Sequence, residues 1–375
     1  MNKIYFLTTS YTPNTAQTNR FMSFIQGFSE LGIDVEVVFF LSDEKNSRVC
    51  KDFPHINFTY MWDIVNIKNR YFSQLAYSLF VSLFLRKVKK GDKIVLFDTQ
   101  RVIFKLLNLQ GVEVYAERTE HPFAFPVRTI NMKRYVRSCK KLDGLFVISS
   151  ALKDYFVECG CDPSRVHVIN MTVDYNRFRG LAKQNRDCKY ISYCGTATNN
   201  KDGVDILIQA FSKVVTKYPQ YKLMIIGKGL TEDDISGNKK LIAELGIQES
   251  VIFTGVVDVD AMPQLLVDAE ILALARPDNL QAQYGFPTKL GEYLLTSNPV
   301  VVTNVGDIHN FFQNKVDIIL ANPGDINDYA DKLFWAIENP VLASQIGENG
   351  ARVAMEKFNY LLESKKIANI IGYPI

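Results

Sequence analysis

Short apolar runs, each followed by a stretch with helical spacing, recur along this chain in two successive series. That alternation constrains the fold more than any other feature. The first series of runs is Lys3–Thr9, Asp34–Leu41, Ile94–Phe97, Val112–Ala116 and Gly144–Ile148, with a helix over Gln17–Leu31 that Gly32 closes. The second is clearer: strands at Tyr190–Tyr193, Tyr221–Ile226, Val251–Phe253, Ile271–Leu274 and Val300–Thr303. Helices at Gly203–Tyr218, Ile235–Leu245, Met262–Ala269 and Pro287–Thr296 fall between them. Runs that are apolar throughout, rather than at every second residue, belong to strands buried on both faces, and strand–helix–strand spacing makes the sheets parallel. The fold expected is α/β: two Rossmann-like, doubly wound parallel-sheet domains facing an interdomain cleft. The polar segment Arg179–Lys189 is the natural linker, giving domains at 1–180 and 186–358.

The length of 375 residues suits two domains at roughly 100–200 residues each. With 47% apolar and 22% charged residues, the composition excludes a disordered chain and a fibrous repeat. Met1–Ser10 reads as a strand without the basic, apolar and small-residue regions of a signal peptide. Leu75–Leu85 falls short of the ~20 apolar residues that cross a bilayer. The six cysteines are scattered, and Cys159-Gly160-Cys161 lacks metal-ligand spacing. Reduced thiols and a cytoplasmic location are expected. The net charge of +3 hides an asymmetry, since residues 1–180 carry 25 Lys and Arg against 17 Asp and Glu. A basic first half fits an anionic partner and fits equally a solvated lysine-rich surface.

In open parallel sheets ligands bind beyond the carboxyl ends of the strands, so the residues just after each strand carry the functional reading. Gly195-Thr196-Ala197-Thr198-Asn199-Asn200-Lys201-Asp202-Gly203 is a glycine-opened loop with a lysine, feeding a helix. Loops of this kind hold phosphate with amides, a helix dipole and a cation. Its ending is not that of a Walker loop. Pro287 suits the first turn of a helix. The amides of Thr288, Lys289 and Leu290 would then be free for a pyrophosphate. Glu292 lies one turn beyond Thr288 and could accept hydrogen bonds from a ribose. Asp258-Val259-Asp260 has the form of a metal-binding DxD, but Asp260 reads better as a helix cap, and no metal is expected.

Gly195 through Asp205, Leu223–Gly229, Ile252–Gly255 and Phe286–Tyr293 together resemble the donor half of retaining family 4 glycosyltransferases. Asp143–Ser150 and Val166–Phe178 fit the same family, so the likeness runs from about Lys140 to Phe358. The resemblance implies the GT-B fold, with the C-terminal segment (359–375) crossing back onto the first domain. It implies a retaining transfer from a nucleotide-diphosphate sugar, UDP- or GDP-linked, to an acceptor hydroxyl in glycan, polysaccharide or glycolipid synthesis. It further implies a donor site at Gly195, Thr196, Lys201, Gly227, Arg276, Thr288, Lys289, Leu290 and Glu292, with Lys201 on the phosphates and Glu292 on the ribose. Two positions depart from the family pattern. Thr196 stands where an arginine usually joins the lysine, and Tyr284 stands where the first of two glutamates would be. Arg276, at a strand end, is the expected replacement cation, with Lys289 second, because fixed charge on a leaving pyrophosphate is a large stabilising effect.

On the acceptor side the candidates are Asn14, Thr15, Glu120 and His121; the last two follow the strand at Val112–Ala116 and are the catalytic candidates there. An imidazole beside carboxylates titrates near neutrality, and Glu117 could instead pair with Arg118. Arg128, Lys133, Arg134, Arg137, Lys140 and Lys141 recur through one helix, and Arg86, Lys87, Lys89, Lys90 and Lys93 follow Leu75–Leu85. Basic residues on apolar helices fit peripheral contact with an anionic membrane at the inner face of the cell membrane, and a lipid-linked or glycan acceptor. No nucleic-acid pattern is present. The rival readings are a catalytically silent nucleotide-sugar-binding subunit, a GT-B epimerase and a nicotinamide-dependent oxidoreductase. The last is disfavoured because no GxGxxG follows the first strand.

Overall fold

The structure, a computed structural model, describes residues 2–9, 11, 15–40, 48–49, 51–61, 73–97, 103–124, 132–229 and 231–375. Asn14 and Arg128 lie outside them. The chain divides into two units, 1–170 with 360–375, and 171–359.

The first unit opens with β1 (Ile4–Thr8), α1 (Ala16–Glu30), β2 (Val35–Phe39) and β3 (Ile56–Tyr60). It continues with α2 (Ser73–Lys87), β4 (Lys93–Leu96), α3 (Ile103–Leu106), β5 (Glu113–Arg118), α4 (Met132–Cys139), β6 (Gly144–Val147), α5 (Ser150–Glu158) and β7 (Val166–Val168). Among the described residues the strands form one parallel sheet in the order β3-β2-β1-β4-β5-β6-β7. Every residue of β1 is buried, as a strand covered on both faces requires.

The second unit holds β8 (Lys189–Cys194), α6 (Asn199–Asp202), α7 (Val204–Lys217), β9 (Tyr221–Ile226), α8 (Glu232–Glu244), β10 (Val251–Gly255), α9 (Met262–Val267) and β11 (Ile271–Leu274). After these come α10 (Leu280–Tyr284), α11 (Lys289–Leu295), β12 (Val300–Thr303), α12 (Ile308–Phe311), β13 (Ile319–Ala321), α13 (Ile326–Glu338) and α14 (Pro340–Lys357). Its sheet is parallel in the order β10-β9-β8-β11-β12-β13. The strands β3, β7 and β13 were not evident in the sequence. The first alternates polar with apolar residues, and the other two are only three residues long.

The last helix, α15 (Tyr360–Ile370), returns to the first unit and packs on α1. Ile367, Ala368 and Ile371 join the aromatic core that Phe6, Phe24, Phe28 and Phe97 build. Polar contacts fix the helix in place: Tyr360 donates to Glu30 at 2.7 Å, and the buried Glu363 accepts the amide of Asn170 at 2.9 Å. Residues 171–178, placed with the first domain by the sequence, belong to the second unit. There the amide of Val173 donates to the carbonyl of Phe358 at 2.9 Å, and Arg177 pairs with Glu292.

In the second sheet β8 and β9 stay paired to their last residues, Cys194 with Ile226. Pairing of β8 with β11 covers only Ile191 with Ile271 and Ser192 with Leu272. The strand order reverses there, which makes it the switch point at which such sheets bind ligands.

Candidate functional site

Splaying of β8 from β11 leaves the backbone of Cys194 without a ladder partner on its β11 side. Tyr293, fully buried on α11, supplies one: its hydroxyl accepts the Cys194 amide at 2.6 Å and donates to the Cys194 carbonyl at 3.2 Å. The next residue, Gly195, has φ +146°, and Gly227 at the end of β9 has φ +116°. A β-carbon on Gly227 would overlap the Gly195 carbonyl, so both must be glycine for the two chains to touch.

Below this edge lies a buried polar cluster. Tyr193 donates to the Asp202 carboxylate at 2.6 Å, and Lys289 donates to the same oxygen at 2.5 Å and to the Tyr193 hydroxyl at 3.0 Å. The ammonium also sits 4.5 Å from the Tyr193 ring centroid. A β-carbon on Gly195 would run into Lys289 Nζ, which explains the glycine in terms of this lysine. Burial alone would raise the Asp202 pKa, but the charge of Lys289 and the hydrogen bonds outweigh it and leave the carboxyl below its ordinary value. Burial lowers the pKa of Lys289, and Asp202 opposes that shift. The charge of Lys289 is therefore committed to Asp202, a role different from the second phosphate cation expected.

Lys201 is exposed, on the turn of α6 above this cluster, and among the described residues nothing ion-pairs its ammonium. Arg276 is not the exposed replacement cation that its strand-end position suggested. It is 2% exposed, and its guanidinium donates to the carbonyls of Lys201 and Gln281, each at 3.4 Å. The side chain turns inward and ties the 277–283 loop to the turn bearing Lys201. Thr196 is exposed.

The amides at the start of α11 are fewer than the sequence implied. Helix α11 begins at Lys289 after Thr288, whose side chain makes no capping bond, and the Leu290 amide already donates to the Pro287 carbonyl at 3.0 Å. Glu292 is partly exposed and forms an ion pair with Arg177. Burial raises its pKa, against the pull of Arg177 and then Lys289. Arg177 was not a candidate in the sequence, where it stands 115 residues from Glu292 and signals nothing. Asp260 does not cap α9, whose first turn begins after Ala261; instead its amide donates to Asp258 at 2.8 Å.

In the first unit, His121 is buried. Its ring lies 4.3 Å from the Tyr155 centroid, and Nδ1 accepts the Phe123 amide at 3.2 Å, which places its proton on Nε2. Burial lowers its pKa, so it is neutral at pH 7. Glu117 pairs with Arg20 at 2.8 Å, not with Arg118, and Arg20 also donates to the carbonyls of Ile169 and Asn170. Glu120 is half-buried beside it in sequence. Thr15 caps α1, accepting the Thr18 amide at 3.2 Å. A groove of about 460 Å³ is lined by Phe123, Val136, Tyr155, Lys133, Arg137 and Lys140, among others. Among the described residues no helix is long and apolar enough to cross a membrane.

Residues 188–339 match the family model of the glycosyl transferases group 1. The chain is 24% identical over 233 residues to the MMP alpha-(1->4)-mannosyltransferase of Mycolicibacterium hassiacum, covering 61% of this chain and 53% of that protein. It is 23% identical over 261 residues to the mannosylfructose-phosphate synthase of Agrobacterium fabrum, covering 65% and 55%. The chain spans about half the length of the curated relatives it matches. Among solved structures, Anabaena Alr3699/HepE in complex with UDP superposes with a TM-score of 0.75 at 19% identity, over 98% of each chain. That likeness and the two parallel sheets make the fold α/β of the GT-B type. The glycine-lined sheet edge with Lys201, Lys289 and Glu292 thus lies in the segment that matches the glycosyl transferases group 1 family model.

Proposed function

We propose that this protein is a retaining, metal-independent glycosyltransferase of family 4 that moves a sugar from a nucleotide-diphosphate sugar to an acceptor hydroxyl. The observation carrying the reading is the switch point of the second sheet, where β8 pairs with β11 over two residues only and the loop after β8 runs from Gly195 to the exposed Lys201. A diphosphate held there would meet the Lys201 ammonium, which neutralises the charge that builds on it as the sugar–phosphate bond breaks. HepE of Anabaena was crystallised with UDP and with UDP-glucose, which supports a UDP-linked donor. In the proposed reaction the acceptor oxygen bonds to the anomeric carbon on the face the diphosphate leaves, and a phosphate oxygen takes the hydroxyl proton. No strong protein base is demanded, which accommodates a neutral, buried His121.

A thermal-shift comparison of UDP, GDP, ADP and NAD tests the reading. One of the nucleoside diphosphates, at about 100 times its Kd, should stabilise the protein by about 2.7 kcal/mol. Stabilisation by NAD alone would overturn it. A second reading, a silent nucleotide-sugar-binding subunit, is favoured by Thr196 and Tyr284 standing where the family carries charged side chains. Nucleotide binding with neither hydrolysis nor transfer of any donor would select it.

The acceptor is assigned to the first unit, with the groove at Phe123 as its peripheral contact with anionic membrane. Lys133, Arg137 and Lys140 supply the charge there, and Phe123 is 61% exposed. The protein should sediment with vesicles containing phosphatidylserine and not with neutral ones. Replacing the three basic residues by glutamine should abolish the difference; unchanged sedimentation would remove the membrane assignment.

A further inference from the structure

The ion pair between Arg177 and Glu292 joins two stretches of the second unit that the sequence separates widely. Residues 171–178 run along α11 at its one glycine. A β-carbon at Gly291 would overlap the Val173 side chain and crowd Met171. The segment is held at several further points. Val173 bridges to Asn359, Asp174 caps the turn Tyr175–Phe178 by accepting the Asn176 amide at 3.0 Å, and Phe178 is buried. Arg177 projects from this anchored turn. Its Nη1 pairs with Glu292 Oε1, and its Nη2 donates to the Val259 carbonyl at 3.3 Å. Two contacts through different nitrogens of a planar guanidinium fix its orientation, and so fix where the Glu292 oxygen that it binds is held.

We propose that Arg177 is a positioning residue for donor recognition, holding the Glu292 carboxylate in the orientation that receives the ribose hydroxyls of the nucleotide sugar. The inference rests on the proposed function, which gives Glu292 to the ribose. With Oε1 engaged by Arg177, Oε2 keeps its lone pairs for the hydroxyl donors. Arg177 also favours the acceptor form of Glu292: burial raises the carboxyl's pKa, and Arg177 is the largest influence opposing that rise. Lys289 adds a smaller push in the same direction, and Asp174 works against both. A protonated Glu292 would lose acceptor capacity on one oxygen.

The experiment is calorimetric binding, on the full chain, of whichever of UDP, GDP and ADP the protein takes, beside its 2′-deoxy and 3′-deoxy forms. Arg177→Ala should weaken the ribonucleotide by about 10- to 100-fold, the size of a lost hydrogen bond to a charged group. It should leave at least one deoxy form within about twofold, because that form has already lost the contact. Glu292→Gln should reproduce the loss, the double variant should be no weaker than either single one, and Arg177→Lys should recover part of the affinity. Equal losses for ribonucleotide and both deoxy forms, additive single effects, or wild-type affinity in Arg177→Ala would each overturn the inference alone. If the unaltered protein binds no nucleotide, the functional reading fails and this inference with it.

Discussion

Lys289→Met should cost about 3–5 kcal/mol of stability, because it leaves the Asp202 carboxylate buried without its counter-charge. Asp202 is 2% exposed, and in the variant only the Tyr193 hydroxyl would still donate to it. At roughly 2–4 °C per kcal/mol for a domain of this size, the melting temperature should fall by at least about 6 °C. The double variant Asp202→Asn with Lys289→Met should recover much of the loss, since removing both charges removes the uncompensated one. A melting temperature within about 1 °C of wild type for the single variant would refute the argument. The pH dependence has a definite sign. The folded Asp202 has a lowered pKa, so its contribution is present above the unfolded carboxyl value and fades as pH falls through the folded one. Lys289, also lowered, binds fewer protons folded than unfolded in the alkaline range. Stability should therefore rise with pH between its folded value and the ordinary lysine value.

Lys201→Ala and Arg276→Met should fail in different ways. Lys201 is exposed and makes no ion pair among the described residues, so its loss should leave the melting temperature unchanged. Donor hydrolysis or transfer should slow by about 10²–10³-fold, the scale of removing one electrostatic contact to a developing charge. Arg276 is enclosed and bonded to two carbonyls, so Arg276→Met should lower the melting temperature first, with activity lost through disorder of the 277–283 loop and the Lys201 turn. Partial refolding of that loop with an osmolyte should restore activity to Arg276→Met and not to Lys201→Ala. Full turnover in Lys201→Ala would remove its assigned role, and an unchanged melting temperature in Arg276→Met would return that arginine to the list of phosphate cations.

The two arginines and the two lysines show where sequence reading stops. Position along a strand says which edge of the sheet a residue occupies, and Arg276 does follow β11. Whether its side chain turns toward solvent or back beneath the neighbouring turn depends on carbonyls contributed by Lys201 and Gln281, one of them 75 residues away. Lys289 was read as a phosphate cation from its place in a familiar motif. Its partner is Asp202, 87 positions earlier, in the loop read as a phosphate cradle. His121 looked like a titrating residue because carboxylates precede it in the chain. In three dimensions it is buried with its ring against Tyr155 and Phe123, and Glu117 faces Arg20.

The order of most strands and helices, the parallel sense of both sheets and the glycine-ended strands were written in local pattern, whereas β3, β7 and β13 were not and the return of the last helix was implied only by the family resemblance. Burial on both faces of a strand and the space needed by a backbone act on a few consecutive residues, and so leave a trace in them. The partners of Arg276, Lys289, Glu292 and His121 were decided only in the tertiary structure. A buried charge is settled by whichever opposite charge or carbonyl the fold brings within about 3 Å, and nothing in the spacing of residues along the chain records that distance.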